Sequence, residues 1–187
     1  ELISPEPGQV FTKSSCIGIS AGSEMLFFNG DFPEDLPGDT PGQPETYRYP
    51  LKYGYSNAGV TRDGKRVFGF YPHQDRWFAD PDSLINLPDT IDDETACFIP
   101  NTETAMGIVQ ALNPRPGDSV LVMGLGVVGQ LVARILNHIH YGRTIVCDPD
   151  SFRREKAVGS SILAPEEKAL AFKEQIREHN SGRLPDK

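Results

Sequence analysis

A small β-rich half followed by an α/β half is the fold class this sequence predicts, and three observations predict it. Residues 1–100 carry short β-like runs broken by glycine, proline and aromatic residues, a texture that reads as a small barrel or an irregular β unit. Residues 101–187 carry longer apolar periods, in the order strand, helix, strand, which reads as a βαβ unit with a right-handed crossover. Between that first strand and the helix stands Gly124-x-Gly126-x-x-Gly129, the glycine spacing of a tight strand-to-helix turn.

Taken in order, Gly8-Gln-Val-Phe-Thr-Lys13, Lys65-Arg-Val-Phe-Gly-Phe70 and Arg76-Trp-Phe-Ala79 are the β-like runs of the first half. Residues 31–50 hold five prolines and read as a surface loop. The run from Pro88 to Ala96 predicts a helix start, with a polar cap and acids in the first turn before Ala96 and Cys97 turn inward. Residues 104–112 are helical in pattern and stop at the breaker Asn113-Pro-Arg-Pro-Gly117. A strand over 120–123, a helix over 127–139 and a strand over 144–147 follow. Residues 166–180 predict an amphipathic helix, with Leu170, Phe172 and Ile176 on its apolar side.

Each glycine of the turn has a physical task. Gly124 permits the tight turn, Gly126 lets the backbone approach a diphosphate, and Gly129 lets the helix pack closely on the strand. The helix start then offers free N–H groups and a positive dipole end to phosphate oxygens. Asp148 closes the second strand nineteen residues beyond Gly129. A carboxylate there accepts the ribose hydroxyls of an adenosine and repels a 2′-phosphate, so NAD is favoured over NADP. Arg153 lies along the ribose or is a solvated arginine at a helix start. Gly124, Gly126, Val128, Gly129, Asp148 and Arg153 are therefore the candidate cofactor-binding residues.

Composition narrows the function classes. The net charge of −8 argues against a nucleic-acid surface, which needs many phosphate-neutralising cations. No apolar run reaches membrane-spanning length and no charged-then-apolar leader opens the chain. The chain opens on Glu1, so its native start is expected to lie further upstream. Cys16, Cys97 and Cys147 are widely spaced and odd in number, which fits buried small side chains in a reducing, cytoplasmic setting. His138 and His140, two apart on a helix end, face different directions and cannot share a metal. At the end of the last helix, the dipole favours the charged form of His179.

Four phrases add a resemblance that spans nearly the whole chain: Gly18-Ile-Ser-Ala-Gly-Ser-Glu24, Tyr49-Pro-Leu-Lys-Tyr-Gly-Tyr55, Arg66-Val-Phe-Gly-Phe-Tyr-Pro-His73 and Glu94-Thr-Ala-Cys-Phe-Ile-Pro-Asn-Thr-Glu-Thr-Ala105. With the order of parts, they resemble the medium-chain dehydrogenase/reductase superfamily, in its zinc-lacking branch related to bacteriochlorophyllide dehydrogenase. The resemblance implies a GroES-like small β-barrel domain over 1–100 and the first half of a Rossmann dinucleotide-binding fold over 101–187. It sets Ser20, Tyr55 and the Asn101–Thr102 pair where the zinc enzymes hold their metal ligands. Those side chains do not make a catalytic zinc site, so no zinc is expected. Tyr55 becomes the candidate catalytic residue, as a phenolic acid or base, or simply fills the space left by the metal. Glu24 and Glu103 reach the cleft or are ordinary carboxylates. Phe70 lines a substrate pocket or packs the core. His73 stands at the pocket rim, as a hydrogen-bonded residue or a catalyst.

The family continues with further strands, and this chain ends at Lys187 where a fourth strand is expected to begin. The family also inserts a longer hairpin within Asn57-Ala-Gly-Val-Thr-Arg-Asp-Gly64, and a smaller contraction falls at 157–161. Either these residues are part of a longer chain or the shortening is real. Three functions compete: a zinc-independent NAD(P)-dependent oxidoreductase for a secondary alcohol, ketone or activated alkene; a redox-inactive relative doing non-redox chemistry or binding a small molecule; and an assembly role. The partner expected is a small-molecule substrate, and an uncapped third strand is expected to give either homo-oligomerisation through its exposed edge or poor solubility.

Overall fold

A computed structural model describes residues 5–33, 35–38, 45–139 and 142–187. Residues 34 and 39–44 of the predicted loop and His140 lie outside the described residues. The chain divides into two compact units, Glu1–Pro100 and Asn101–Lys187.

The first unit is a five-stranded antiparallel sheet of β1 (Val10–Ile17), β2 (Asn57–Thr61), β3 (Arg66–Gly69), β4 (Arg76–Ala79) and β5 (Ile85–Asn86). Its order is β4-β1-β2-β3-β5. Thr12 and Ala58 are sealed from solvent, as is Phe68, because both faces of the sheet are covered. Ala58, Phe68, Leu87, Ala96 and Cys97 form one core cluster, and Tyr71, Trp77 and Ala79 form another. A double-sided strand loses the period-two pattern, which is why β2 escaped the sequence reading. A bulge between Ser14 and Cys16 takes Ser15 out of register with β2, and its hydroxyl lies 3.3 Å from the Ala58 carbonyl and 2.5 Å from the Asp93 carboxylate. Helix α1 (Ser23–Asn29) was not foreseen. Helix α2 (Asp93–Ala96) starts later than the Pro88 run suggested, because Asp92 is the capping residue, its carboxylate accepting the Thr95 N–H at 2.6 Å.

Helix α3 (Ile99–Leu112) starts in the last two residues of the first unit and continues into the second, which holds β6 (Ser119–Met123), α4 (Val127–Ile139), β7 (Arg143–Cys147), α5 (Ser151–Glu155), β8 (Ser161–Leu163) and α6 (Ala169–His179). The sheet of the second unit is parallel in the order β6-β7-β8. α3 begins five residues before the expected 104 (104 − 99), since Pro100 falls in the first turn, where no N–H is needed. One face of the sheet meets α3 and α4 through Ala105, Val109, Val120, Val122, Val132, Leu136 and Val146. The other face meets α6 through Ile145, Cys147, Leu163 and Ile176, with Phe172 packed against them. Ile145, Val146 and Cys147 thus alternate between two covered faces. Leu170 is a correction to the predicted apolar side of α6, because it stands 74% exposed in the first turn.

Beyond α6 the chain returns to the outer edge of β6. The Lys187 N–H donates to the Ser119 carbonyl at 3.2 Å, and the Leu121 N–H donates to the Lys187 carbonyl at 3.0 Å. Those two bonds are one rung of parallel pairing.

Candidate functional site

Two constellations carry chemistry, one in each unit. In the second unit, β6 ends at Met123 and the chain turns at Gly124, whose φ of +89° excludes most side chains. The Gly124 N–H donates to the Cys147 carbonyl at 2.9 Å, tying the turn to the tip of β7. Gly129 is needed for space: a Cβ there would lie 1.9 Å from the Gly124 carbonyl oxygen. The tight approach is therefore between helix start and turn, with Val122 of the strand further off at 3.8 Å. At Gly126 a side chain would meet nothing within 4 Å, so the backbone there is open. The Gln130 N–H closes the first turn of α4 onto the Gly126 carbonyl at 2.9 Å. The N–H groups of Val127 and half-buried Val128 precede that bond and belong to the donors a helix start leaves unpaired within itself.

Asp148 directly follows β7 and is 1% exposed. One carboxylate oxygen accepts the Leu125 N–H at 2.7 Å, within the glycine turn, and the other accepts the Asp150 N–H at 2.8 Å. Those two backbone donors, and then the Arg153 guanidinium 3.5 Å away, hold the carboxyl below the usual carboxylate range. Arg153 is half-exposed and also lies 3.9 Å from Asp150. Its own carbonyl accepts from the Gln130 amide at 2.7 Å, a link between α4 and α5 that sequence reading missed. Next to Asp148, burial pushes the Cys147 thiol up, and the neighbouring carboxylate adds to the effect. Burial likewise pushes Cys97 up to about 11.

In the first unit, the loop entering α1 meets the segment around Tyr55. The half-buried Tyr55 hydroxyl and the Ser23 hydroxyl are hydrogen-bonded at 2.9 Å, and Ser20 Oγ stands 3.4 Å from Ser23 Oγ. Glu24 spans its two oxygens between the Ser20 N–H at 2.7 Å and His73 Nε2 at 2.5 Å. The structure therefore gathers Ser20, Glu24, Tyr55 and His73, and adds Ser23, which the sequence reading passed over. Ser23 had one usable signal, its place between Gly22 and Glu24 at a helix start. An aromatic cluster adjoins Tyr55: Tyr53 packs edge-on to it at 6.3 Å and stacks on Phe27 at 3.7 Å.

Other candidates lie elsewhere. Phe70 packs edge-on against Phe68 at 5.3 Å and joins the core cluster of the first unit. Glu103 and Thr102 are exposed on α3, and Asn101 is half-buried there. The His138 ring bonds the Arg134 carbonyl within its own helix. His179 ends α6, its carbonyl accepting from Arg143 at 2.8 Å. Among the described residues, no group of three or more His, Cys, Asp or Glu is placed to hold a metal ion. None of their helices is long and apolar enough to cross a membrane.

Comparison with known proteins places this geometry. No protein-family model matches the chain. The 2-desacetyl-2-hydroxyethyl bacteriochlorophyllide A dehydrogenase of Cereibacter sphaeroides is 25% identical over 190 aligned positions, covering 88% of this chain and 56% of that protein. The quinone oxidoreductase of Thermus thermophilus, solved also in complex with NADPH, superposes with a TM-score of 0.67 at 19% identity over 86% of this chain and 52% of that one. The fold is that of the medium-chain dehydrogenases and reductases. A protein of Escherichia coli CFT073, described as a short chain alcohol dehydrogenase and complexed with NADH, agrees, with a TM-score of 0.75 at 20% identity over 99% of this chain and 62% of that one. The chain thus spans little more than half the length of the medium-chain proteins it matches.

Proposed function

We propose that this chain carries the adenosine-binding turn and the proton-donating hydroxyl of a zinc-independent, NAD(P)-dependent oxidoreductase. Its substrate class is a secondary alcohol, a ketone or an activated alkene. The observation that carries the reading is the closure of the glycine turn. Gly124 bonds the tip of β7, Gly129 closes on Gly124, and Asp148 accepts the Leu125 N–H. The open backbone at Gly126 and the N–H groups of Val127 and Val128 suit a diphosphate. Asp148 spends two of roughly four lone-pair positions on backbone N–H groups, leaving acceptor capacity for ribose hydroxyls. Its charge favours NAD over NADP, while Arg153 beside it works in the opposite sense. We also read the first unit as a GroES-like barrel, supported by its antiparallel order and by the fold of the neighbours.

When bound, the nicotinamide cofactor supplies or accepts the hydride. This chain's residues do the rest. The residues where the zinc enzymes hold their metal are Ser20, Tyr55 and the Asn101–Thr102 pair, with no thiolate or imidazole among them, and they do not fit zinc. Tyr55 instead donates its phenolic proton to the substrate oxygen when a carbonyl compound gains hydride, and takes up the hydroxyl proton when an alcohol loses hydride, with Ser23 at 2.9 Å sharing the proton. The reaction then runs on orientation and proton placement in a site without metal.

A second reading, a redox-inactive relative, draws on one observation: Asp148 is already bonded on both oxygens and nearly sealed. Calorimetric titration with NADH, NADPH and ADP-ribose separates the two. Tighter binding of NADH than of ADP-ribose supports the oxidoreductase, and no binding of any of the three leaves the second reading standing. With a quinone as hydride acceptor, Tyr55→Phe is expected to keep NADH affinity and lose turnover by about a hundredfold or more.

A further inference from the structure

We propose that Glu24 and His73 form a clamp whose task is to position the Ser23–Tyr55 hydroxyl pair, an inference that rests on the reading of Tyr55 as proton donor. Three segments far apart in sequence meet at this pair. Glu24 lies in the first turn of α1 and holds the loop before it, through the Ser20 N–H at 2.7 Å. His73 bonds Glu24 at 2.5 Å, and its backbone N–H donates to the Tyr53 carbonyl at 3.1 Å. Its ring lies flat against Gly54, where a Cβ would come within 2.6 Å of Cδ2 and Nε2. His73 therefore holds both residues that precede Tyr55 and reaches the first turn of α1, which carries Ser23.

The energetics point to position more than to stability. Glu24 and His73 side chains are 10% and 21% exposed, so their polar atoms have given up most of their water. The second ring nitrogen, Nδ1, is buried without a hydrogen-bond partner among the described residues. A pair that costs desolvation and leaves one nitrogen unmet is a poor device for stability alone, since an apolar pair of similar volume would hold the segments as well or better. What the polar pair adds is direction. A short bond to a carboxylate that also accepts the Ser20 N–H fixes the loop in one rotation about α1. That rotation sets Ser23 Oγ at 2.9 Å from Tyr55 Oη. Both are positioning residues, because neither hydrogen-bonds the Tyr55 hydroxyl itself.

The test uses the full chain labelled with 13Cζ-tyrosine, the Tyr55 signal being assigned by its loss in Tyr55→Phe. Ser23→Ala removes the hydroxyl partner and defines the shift that a broken pair produces. His73→Gln and Glu24→Gln are expected to move the Tyr55 signal by the same amount and in the same direction. The Tyr71 signal, whose hydroxyl bonds Ser83 at 3.2 Å, is expected to stay in place and reports an intact fold. A Tyr55 signal that moves in Ser23→Ala and coincides with wild type in His73→Gln and Glu24→Gln overturns the clamp. Should His73→Gln lose the Tyr71 signal and fail to fold, the isosteric Glu24→Gln decides alone. Turnover gives a second arm with NADH and a quinone: His73→Gln lowers kcat by about tenfold in wild type and not at all in Tyr55→Phe. Losses that simply add in the double variant overturn the clamp. Wild-type protein without turnover defeats the oxidoreductase reading instead, and the NMR comparison still decides the clamp.

Discussion

A carboxylate sealed at the end of a strand is costly unless its oxygens are met. Asp148 meets that cost with the N–H groups of Leu125 and Asp150, so one side chain joins the glycine turn, the tip of β7 and the start of α5. Its folded pKa lies below its ordinary value, so the latch contributes stability that is complete above the ordinary carboxylate range near pH 4. The contribution is lost as pH falls through the lowered folded value, where the unfolded chain has already bound its proton. Thermal melts between pH 7 and pH 3, followed by far-UV circular dichroism, are expected to show a steeper acid decline for wild type than for Asp148→Asn. An equal decline in both would mean that the latch carries no proton-linked stability. The same variant is expected to weaken NADH binding by about tenfold or more, the cost of a lost charged hydrogen-bond acceptor. At this scale the sequence was half legible. The left-handed turn at Gly124 was readable because it is local, while the closure of Gly129 on the Gly124 carbonyl and the Asp148 bonds to Leu125 and Asp150 were not foreseen. The Glu24–His73 bond joins residues 49 apart and has no local signature.

At the scale of elements, α5 is a five-residue helix that holds Arg153 beside Asp148, and so short a helix depends on its cap. Asp150 is that cap, its carboxylate accepting the Phe152 N–H at 2.8 Å and the Arg153 N–H at 3.3 Å. Asp150→Ala is expected to cost about 1 kcal/mol of stability in urea unfolding. It is also expected to raise the relative affinity for NADPH, since Arg153 loses one of its two carboxylate neighbours. A cofactor ratio unchanged by the substitution would show that Arg153 takes no part in choosing between the two. Of the neighbouring elements, β6, α4 and β7 were read from sequence to within a residue, because each is apolar and bounded by turn residues, and the four-residue β4 was read as well. Three short elements were not. β8 has three residues, α1 begins after Gly22 without a side-chain cap, and β5 has two residues. Elements of that size are formed by what they pack on, and the pattern within them is too brief to show a period.

On the scale of the whole molecule, the open question is which strand edges remain available. β6 pairs with β7 through Val120 and Val122, and turns the backbone of Ser119, Leu121 and Met123 to its other side. Lys187 occupies the first half of that side, through Ser119 and Leu121. The Leu121 carbonyl and the Met123 N–H are directed along the second half, and the Met123 side chain is 66% exposed. Left unpaired, that second half is a template for a further strand, of this chain or of another copy. The net charge of −8 opposes such contact through repulsion, which salt screens over about 10 Å at 0.1 M. Sedimentation velocity is therefore expected to show self-association that rises with protein concentration and with salt from 50 to about 300 mM. Met123→Lys places a charge on the edge and is expected to suppress the associated species without lowering the melting temperature. Association that persists in Met123→Lys would assign the contact to another edge, such as β8, whose Ile162 is 43% exposed. Association that falls as salt rises would mean that charge pairing, and no strand edge, holds the copies together.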